Sequence, residues 1–142
     1  MKISARNVFE GTITALVDGV VNAEVEITTP GGDRIVAVVT ESSVQSLGLA
    51  VGKPAMAFVK APWVIVMADK GGTKLSARNQ LAGVVQHIEK GAINSEIAIK
   101  LPGGTLVHAV ITNEAVMELG LKPDAPASAL IKASHVVIGV RD

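Results

Sequence analysis

An all-β protein with short helices, built as two tandem five-stranded modules, is the fold class that this sequence predicts. Three observations carry it. Shifted by 72 positions, residues 2–69 align with 74–141 without a gap, and KISARNVFEG at 2–11 returns as KLSARNQLAG at 74–83. Each half is a series of short Val-, Ile- and Ala-rich runs separated by Gly and Pro, the pattern of strands and turns. Nearly half of the chain (49%) is apolar, yet Phe9, Phe58 and Trp63 are the only aromatics, which suits small cores filled by aliphatic side chains.

The elements follow in the same order in both halves. Residues 8–17 and 20–28 alternate enough to be strands, joined through Asp18-Gly19 in the first copy and Lys90-Gly91 in the second. Pro30-Gly31-Gly32 and Pro102-Gly103-Gly104 make the next turn, before strands at 33–39 and 106–111. Thr40 and Thr112 stand where a helix N-cap belongs. Val44 with Leu47, and Val116 with Leu119, give a one-sided apolar spacing, and Gly48 or Gly120 closes the helix. Strands at 55–60 and 64–67 end the first module. Five strands with a small helix after the third predict an OB-like β-barrel. The modules fall at 1–69 and 74–142, with residues 70–73 as the linker. So small a module with so much apolar surface is expected to pack against its twin and to oligomerise.

Composition excludes several classes of function. Thirteen basic and thirteen acidic residues balance, so no global field draws in nucleic acid or an anionic membrane. Without cysteine there is no disulfide framework, thiolate metal site or cysteine nucleophile. The longest apolar runs, such as 61–68, are far short of the roughly 20 residues that span a bilayer. The N-terminus carries no signal-peptide pattern, so the cytoplasm is the expected location.

The duplication also acts as a filter, because residues serving a function performed by both halves should recur at matching positions. No histidine does: His87 matches Ala15, His108 matches Val36 and His135 matches Trp63. They are left with surface or sheet-face roles, or a part in one asymmetric site. Of the acids only Glu24 and Glu96 recur, as water-facing strand residues or salt-bridge partners; one carboxylate per module makes neither an acid–base pair nor a cation cage. Three basic pairs recur: Lys2 with Lys74, Arg6 with Arg78, and Lys60 with Lys132. The first reads as solvated charge.

The other two pairs have neighbours that suggest binding. Ser4 stands two residues before Arg6, as Ser76 does before Arg78, placing a hydroxyl and a guanidinium fork on one side of an extended chain. Lys60 and Lys132 sit in apolar contexts, VKA and IKA. The segments opening at Thr40 and Thr112 place helix-start amides where an anion would be cradled. All of these groups are hydrogen-bond donors, suited to a fully deprotonated oxyanion that only accepts. Ser and Arg from one side of a module or subunit interface, and Lys and the helix start from the other, is the expected geometry. Six charge-assisted bonds at about 1.5 to 3 kcal/mol each give a gross sum of roughly 9 to 18 kcal/mol. Dianion desolvation offsets much of it and leaves roughly micromolar binding or somewhat tighter.

With SARNxxxG, NAEV at 22–25 and NSEI at 94–97, the helices TESSVQSLGL and TNEAVMELGL, and VKA or IKA, the chain resembles the molbindin family, each half being similar to one Mop domain. The motifs occur in order, twice, and cover essentially the whole sequence. The resemblance implies a di-Mop unit that assembles as a homotrimer and binds molybdate or tungstate in the cytoplasm, storing and buffering it for molybdenum homeostasis. It places the interface oxyanion sites on Ser4, Arg6, Thr40, Ser43, Lys60 and Ala61 in the first half. In the second half they fall on Ser76, Arg78, Thr112, Lys132 and Ala133. Ser43 becomes Ala115 and Pro62 becomes Ser134, so the two sets need not be equal. Such assemblies also bind oxyanion on their threefold axis, for which Asn22 and Asn94 are the candidates.

No cofactor and no bare metal cation is expected, and phosphate or sulfate would bind more weakly than molybdate. A nucleic-acid-binding OB module would need a basic groove and stacking aromatics, and no aromatic recurs. A regulatory sensor would need a helix-turn-helix domain, for which no residues remain here. An enzyme would need a recurring nucleophile–base pair or metal cluster. A purely structural oligomer accounts for the apolar content but leaves the repeated Ser-x-Arg unexplained.

Overall fold

A computed structural model describes residues 1–68 and 73–142; the linker expected at 70–73 therefore falls almost wholly outside the described residues. The first half contains β1 (Asn7–Asp18), β2 (Asn22–Thr28), β3 (Arg34–Thr40), α1 (Glu41–Leu47), β4 (Pro54–Val59) and β5 (Ile65–Met67). The second repeats them as β6 (Asn79–Lys90), β7 (Asn94–Lys100), β8 (Leu106–Thr112), α2 (Asn113–Glu118), β9 (Pro126–Ile131) and β10 (Val137–Gly139). Among the described residues no helix is long and apolar enough to cross a membrane.

β1 is long because it serves two neighbours. Its first part pairs antiparallel with β4, from Asn7↔Val59 to Thr12↔Pro54, and its remainder pairs with β2 from Thr12↔Thr28 onward, with a register shift between Ile13 and Ala15. The strand bends where it changes partner, and this explains the glycine of SARNxxxG. A Cβ on Gly11 would lie 2.2 Å from Thr28 O, and one on Gly83 would lie 2.3 Å from Lys100 O, so only glycine lets the backbones approach. Inward positions hold Ile13, Val25, Ile27, Ile35 and Ala37, all at most 1% exposed. Each buried isoleucine or valine contributes about 1.5 to 3 kcal/mol relative to exposure.

Both helices begin as their sequences predict. Thr40 Oγ1 accepts from Ser43 N at 3.1 Å and Thr112 Oγ1 accepts from Ala115 N at 3.1 Å. α1 ends on Gly48 in the left-handed region, whereas the cap of α2 is Leu119, one residue before Gly120. β2 starts at Asn22 and not at 20, because Val20 and Val21 lie in the turn, nearly bare to solvent. A 3-10 turn, Ala61–Trp63 in the first half and Ala133–His135 in the second, precedes each last strand and has no counterpart in the predicted elements.

The fifth strand of each sheet comes from the other half. The sheet orders are β10-β4-β1-β2-β3 and β5-β9-β6-β7-β8, with Ile65↔Leu130 and Val137↔Phe58 as exchanged pairs. The edge strands β10 and β3 touch, as do β5 and β8, so each sheet curls into a barrel. Strand exchange joins the buried side chains of the two halves into one cluster. The two Pro-Gly-Gly turns also meet: a Cβ on Gly31 would lie 2.0 Å from Gly103 O, and Asp33 accepts from Gly103 N at 3.1 Å and Thr105 N at 3.3 Å.

Candidate functional site

The segment leading into β1 is strapped across the opposite barrel. Asn7, 1% exposed, donates from Nδ2 to His108 O at 2.8 Å and accepts from His108 N at 2.7 Å, completing both hydrogen bonds of a β8 residue as a paired strand would. Asn79 does the same to Val36 on β3, with both distances 2.7 Å, and adds a bond to Ile131 O at 3.2 Å. Each buried amide is thereby satisfied, and each half pins the other. The Asn of SARN is a fastener between modules.

Arg6 and Arg78, one residue earlier, reach β7 and β2 of the opposite half. Arg6 Nε donates to Glu96 Oε1 at 3.0 Å. Arg78 makes two bonds to Glu24, from Nε to Oε2 at 3.2 Å and from Nη2 to Oε1 at 2.5 Å. The recurring acid is thus the salt-bridge partner of the recurring arginine, in trans. Hydrogen bonding to Glu24, and then its charge, hold Arg78 still more firmly cationic than usual. Because Asn7 faces His108 while Arg6 faces Glu96, the ladder partner of Val110, the chain before Asn7 runs along β8 toward Thr112 and Asn94. By the same relation Ser76 and Arg78 run toward Thr40 and Asn22.

Lys60 follows directly on Val59, the ladder partner of Asn7, so Arg6 and Lys60 leave the same end of the β1–β4 ladder; Arg78 and Lys132 do likewise after Asn79↔Ile131. Within this chain, Arg and Lys of the same module therefore adjoin one another. The 3-10 turn after Lys60 packs on β8, and the turn after Lys132 packs on β3. The turn after Lys60 thus lies against the strand that ends at Thr112, and the turn after Lys132 lies against the strand that ends at Thr40. A grouping by half cannot be seen through in sequence, because the strap crosses over.

Ser4, Arg6, Lys60, Thr40 and their equivalents Ser76, Arg78, Lys132 and Thr112 are all exposed; Ser43 is half-buried, and Ala61 and Ala133 are buried. Among the described residues neither lysine is ion-paired. Asn22 and Asn94 are exposed, and they stand opposite Thr40 and Thr112 as ladder partners, so the axial candidates adjoin the interface candidates. The helix-start amides are less free than expected: Glu41 N donates to Val21 O at 2.8 Å, Asn113 N donates to Ile93 O at 2.8 Å, and the threonine hydroxyls take a third-residue amide on each side. Thr40 Oγ1 also shares a hydrogen bond with Ser43 Oγ at 2.8 Å.

The surroundings of the two clusters differ. His108 Nδ1 lies 3.2 Å from Glu96 Oε1, out of line for a hydrogen bond and otherwise unpartnered. Burial, then the Arg6 charge, lower its pKa below the ordinary histidine value, with Glu96 opposing. On the other barrel Val36 replaces it. Arg78 lines a cleft of about 510 Å³ with Arg34, Asp33 and Glu26. Trp63 and His135, matched in the repeat, also meet in space, with ring centroids 5.3 Å apart.

The chain resembles known proteins along its length. Residues 3–66 and 75–138 each match the TOBE domain. The chain belongs to the TOBE-domain family. Its paired TOBE modules are similar, at 59% identity and a TM-score of 0.95, to a crystal structure of the cytoplasmic molybdate-binding protein ModG with molybdate bound, over 99% of this chain and all of that one. Over 141 residues it is 40% identical to the molybdenum transport protein ModE of Herbaspirillum seropedicae, covering 99% of this chain and 52% of that protein. It is also 40% identical over 140 residues to the molybdenum-pterin-binding protein MopA of Rhodobacter capsulatus, 99% of this chain and 53% of that protein. The TOBE pair thus spans about half the length of the curated relatives it matches.

Proposed function

We propose that this chain is a non-catalytic binding protein that takes up molybdate, and tungstate, and buffers it for molybdenum homeostasis in the cytoplasm. What supports the reading is an arginine and a lysine that flank one ladder end, on a strap that runs toward the threonine of the opposite half, with similarity to a molybdate-bound protein over the whole chain. A donor-only cluster suits a tetrahedral dianion, which offers no proton to share. Most of these donors are exposed in the single chain, which fits sites completed by a second copy in a homotrimer of tandem modules.

The test is calorimetric titration of the assembled, anion-free protein with molybdate, tungstate and sulfate in phosphate-free buffer, with light scattering to count chains. Micromolar or tighter uptake of molybdate with weak sulfate binding is the expected result. No heat at two temperatures would discard molybdate binding, and a monomer would discard the shared-interface sites.

A further inference from the structure

We infer that the two oxyanion sites of one chain are unequal, the Arg6–Lys60–Thr112 site filling before the Arg78–Lys132–Thr40 site, because carboxylates of the first barrel hold down the second. The inference rests on the reading of these clusters as oxyanion sites. It begins with the arginines, which are equally exposed (side chains 55% and 56%), so burial does not distinguish them. Their partners do. Arg78 gives Nε and Nη2 to both oxygens of Glu24, whereas Arg6 gives only Nε to one oxygen of Glu96, and that oxygen also faces His108. An incoming dianion finds more unused N–H groups on Arg6, and a weaker internal competitor.

The charges around the two clusters point the same way. At matched positions the first barrel has Glu26, Thr28 and Glu41 where the second has Ala98, Lys100 and Asn113, and Asp18 where the second has Lys90. Glu26 acts on Arg78 alongside Glu24. Glu41 immediately follows the N-cap Thr40, and the neighbouring Asp18 carboxyl, with burial, raises its pKa, so an acid pair stands at the helix start of the first barrel. In the second barrel Asn113 occupies that place and is neutral, accepting from Ser95 Oγ at 2.5 Å and donating to Gly91 O at 3.0 Å. Other differences run the opposite way: Ser43 adds a hydroxyl beside Thr40 where Ala115 has none, Ser134 adds one beside Ala133 where Pro62 has none, and Arg34 lines the Arg78 cleft where the second barrel has Leu106. Neutral hydroxyls contribute less than full charges, and Asp33 stands in the same cleft as Arg34, so the remaining acids decide the order.

The test is titration of the wild-type assembly with molybdate, repeated on Arg6→Ala, on Arg78→Ala and on the pair Glu26→Ala with Glu41→Asn, which gives the first barrel the residues of the second. The wild type should show two classes of site differing by about tenfold or more in Kd. Arg6→Ala should remove the tight class and Arg78→Ala the weak one. The double substitution should tighten the weak class about tenfold and leave the tight class in place. The inference is overturned if wild type binds molybdate in a single class, if Arg78→Ala removes the tight class, or if the double variant, assembled normally by light scattering, binds as wild type does. A wild type that takes up no molybdate overturns the oxyanion reading itself and is recognised before any variant is compared.

Discussion

Asn7 grips His108 through both ends of its side-chain amide, at 2.7 and 2.8 Å, although 101 residues separate them. The equivalent Asn79 holds Val36, so each half is fastened to the other by the side chain of the residue that opens its own strand ladder. A buried side chain that satisfies two backbone groups leaves both of them orphaned when it is removed. Asn79→Ala is therefore expected to destabilise the protein by about 2 to 4 kcal/mol, from the loss of three hydrogen bonds and the desolvated groups left behind. Urea unfolding of the assembled variant measures it; a midpoint unchanged from wild type would show the fastening to be dispensable.

The arginine beside each fastener has a different task. Arg6 and Arg78 are exposed, and their salt bridges at the surface contribute little to folding. Their truncation should leave the assembly intact while removing a charge-assisted bond to the oxyanion, a loss of about 10- to 100-fold in affinity at that site. Calorimetry on Arg6→Ala and Arg78→Ala, each checked by light scattering, tests this. Wild-type affinity at both classes of site would take the arginines out of the binding clusters.

His108 adds a pH dependence. Its pKa is lowered, first by burial and then by Arg6. The folded chain then binds fewer protons than the unfolded chain below the ordinary histidine value of about 6.5, so stability rises with pH in that window. The contribution is complete above about pH 6.5 and is lost as pH falls through the lowered value. His108→Val, which installs the residue of position 36, should flatten the part of the melting-temperature profile below about pH 6.5 that belongs to this group. Superimposable profiles would show that His108 does not titrate differently on folding.

Strand exchange gives the second half a direct part in the stability of the first. Ile138 on β10 is 7% exposed and pairs with Ala57 in the first barrel. Ile138→Ala should cost about 2 to 5 kcal/mol and should lower amide-exchange protection in β4, 80 residues earlier in the chain, before that in β9. Loss of protection confined to the second barrel would contradict the exchange.

Much of this protein was legible in its sequence because the information was local or repeated. Alternating aliphatic runs, two Pro-Gly-Gly turns and threonine caps determined five strands and one helix per half, and the 72-residue offset determined that there are two such units. The repeat also singled out the Ser, Arg and Lys pairs and the one recurring acid. Position 7 or 79 passed the same filter without revealing its role, since nothing in an isolated Arg-Asn step says that its amide will meet a backbone in the other module.

Tertiary structure decided which half owns which residue. The fifth strands cross over, the straps cross over, and the arginines find their carboxylates in trans. Hydrophobic periodicity specifies which face of a strand is buried but not which of two nearly identical sheets receives it, because both offer the same hydrogen-bonding edge and similar apolar pockets. The joint burial of both halves in one core settles that choice, and it exists only once the chain has folded.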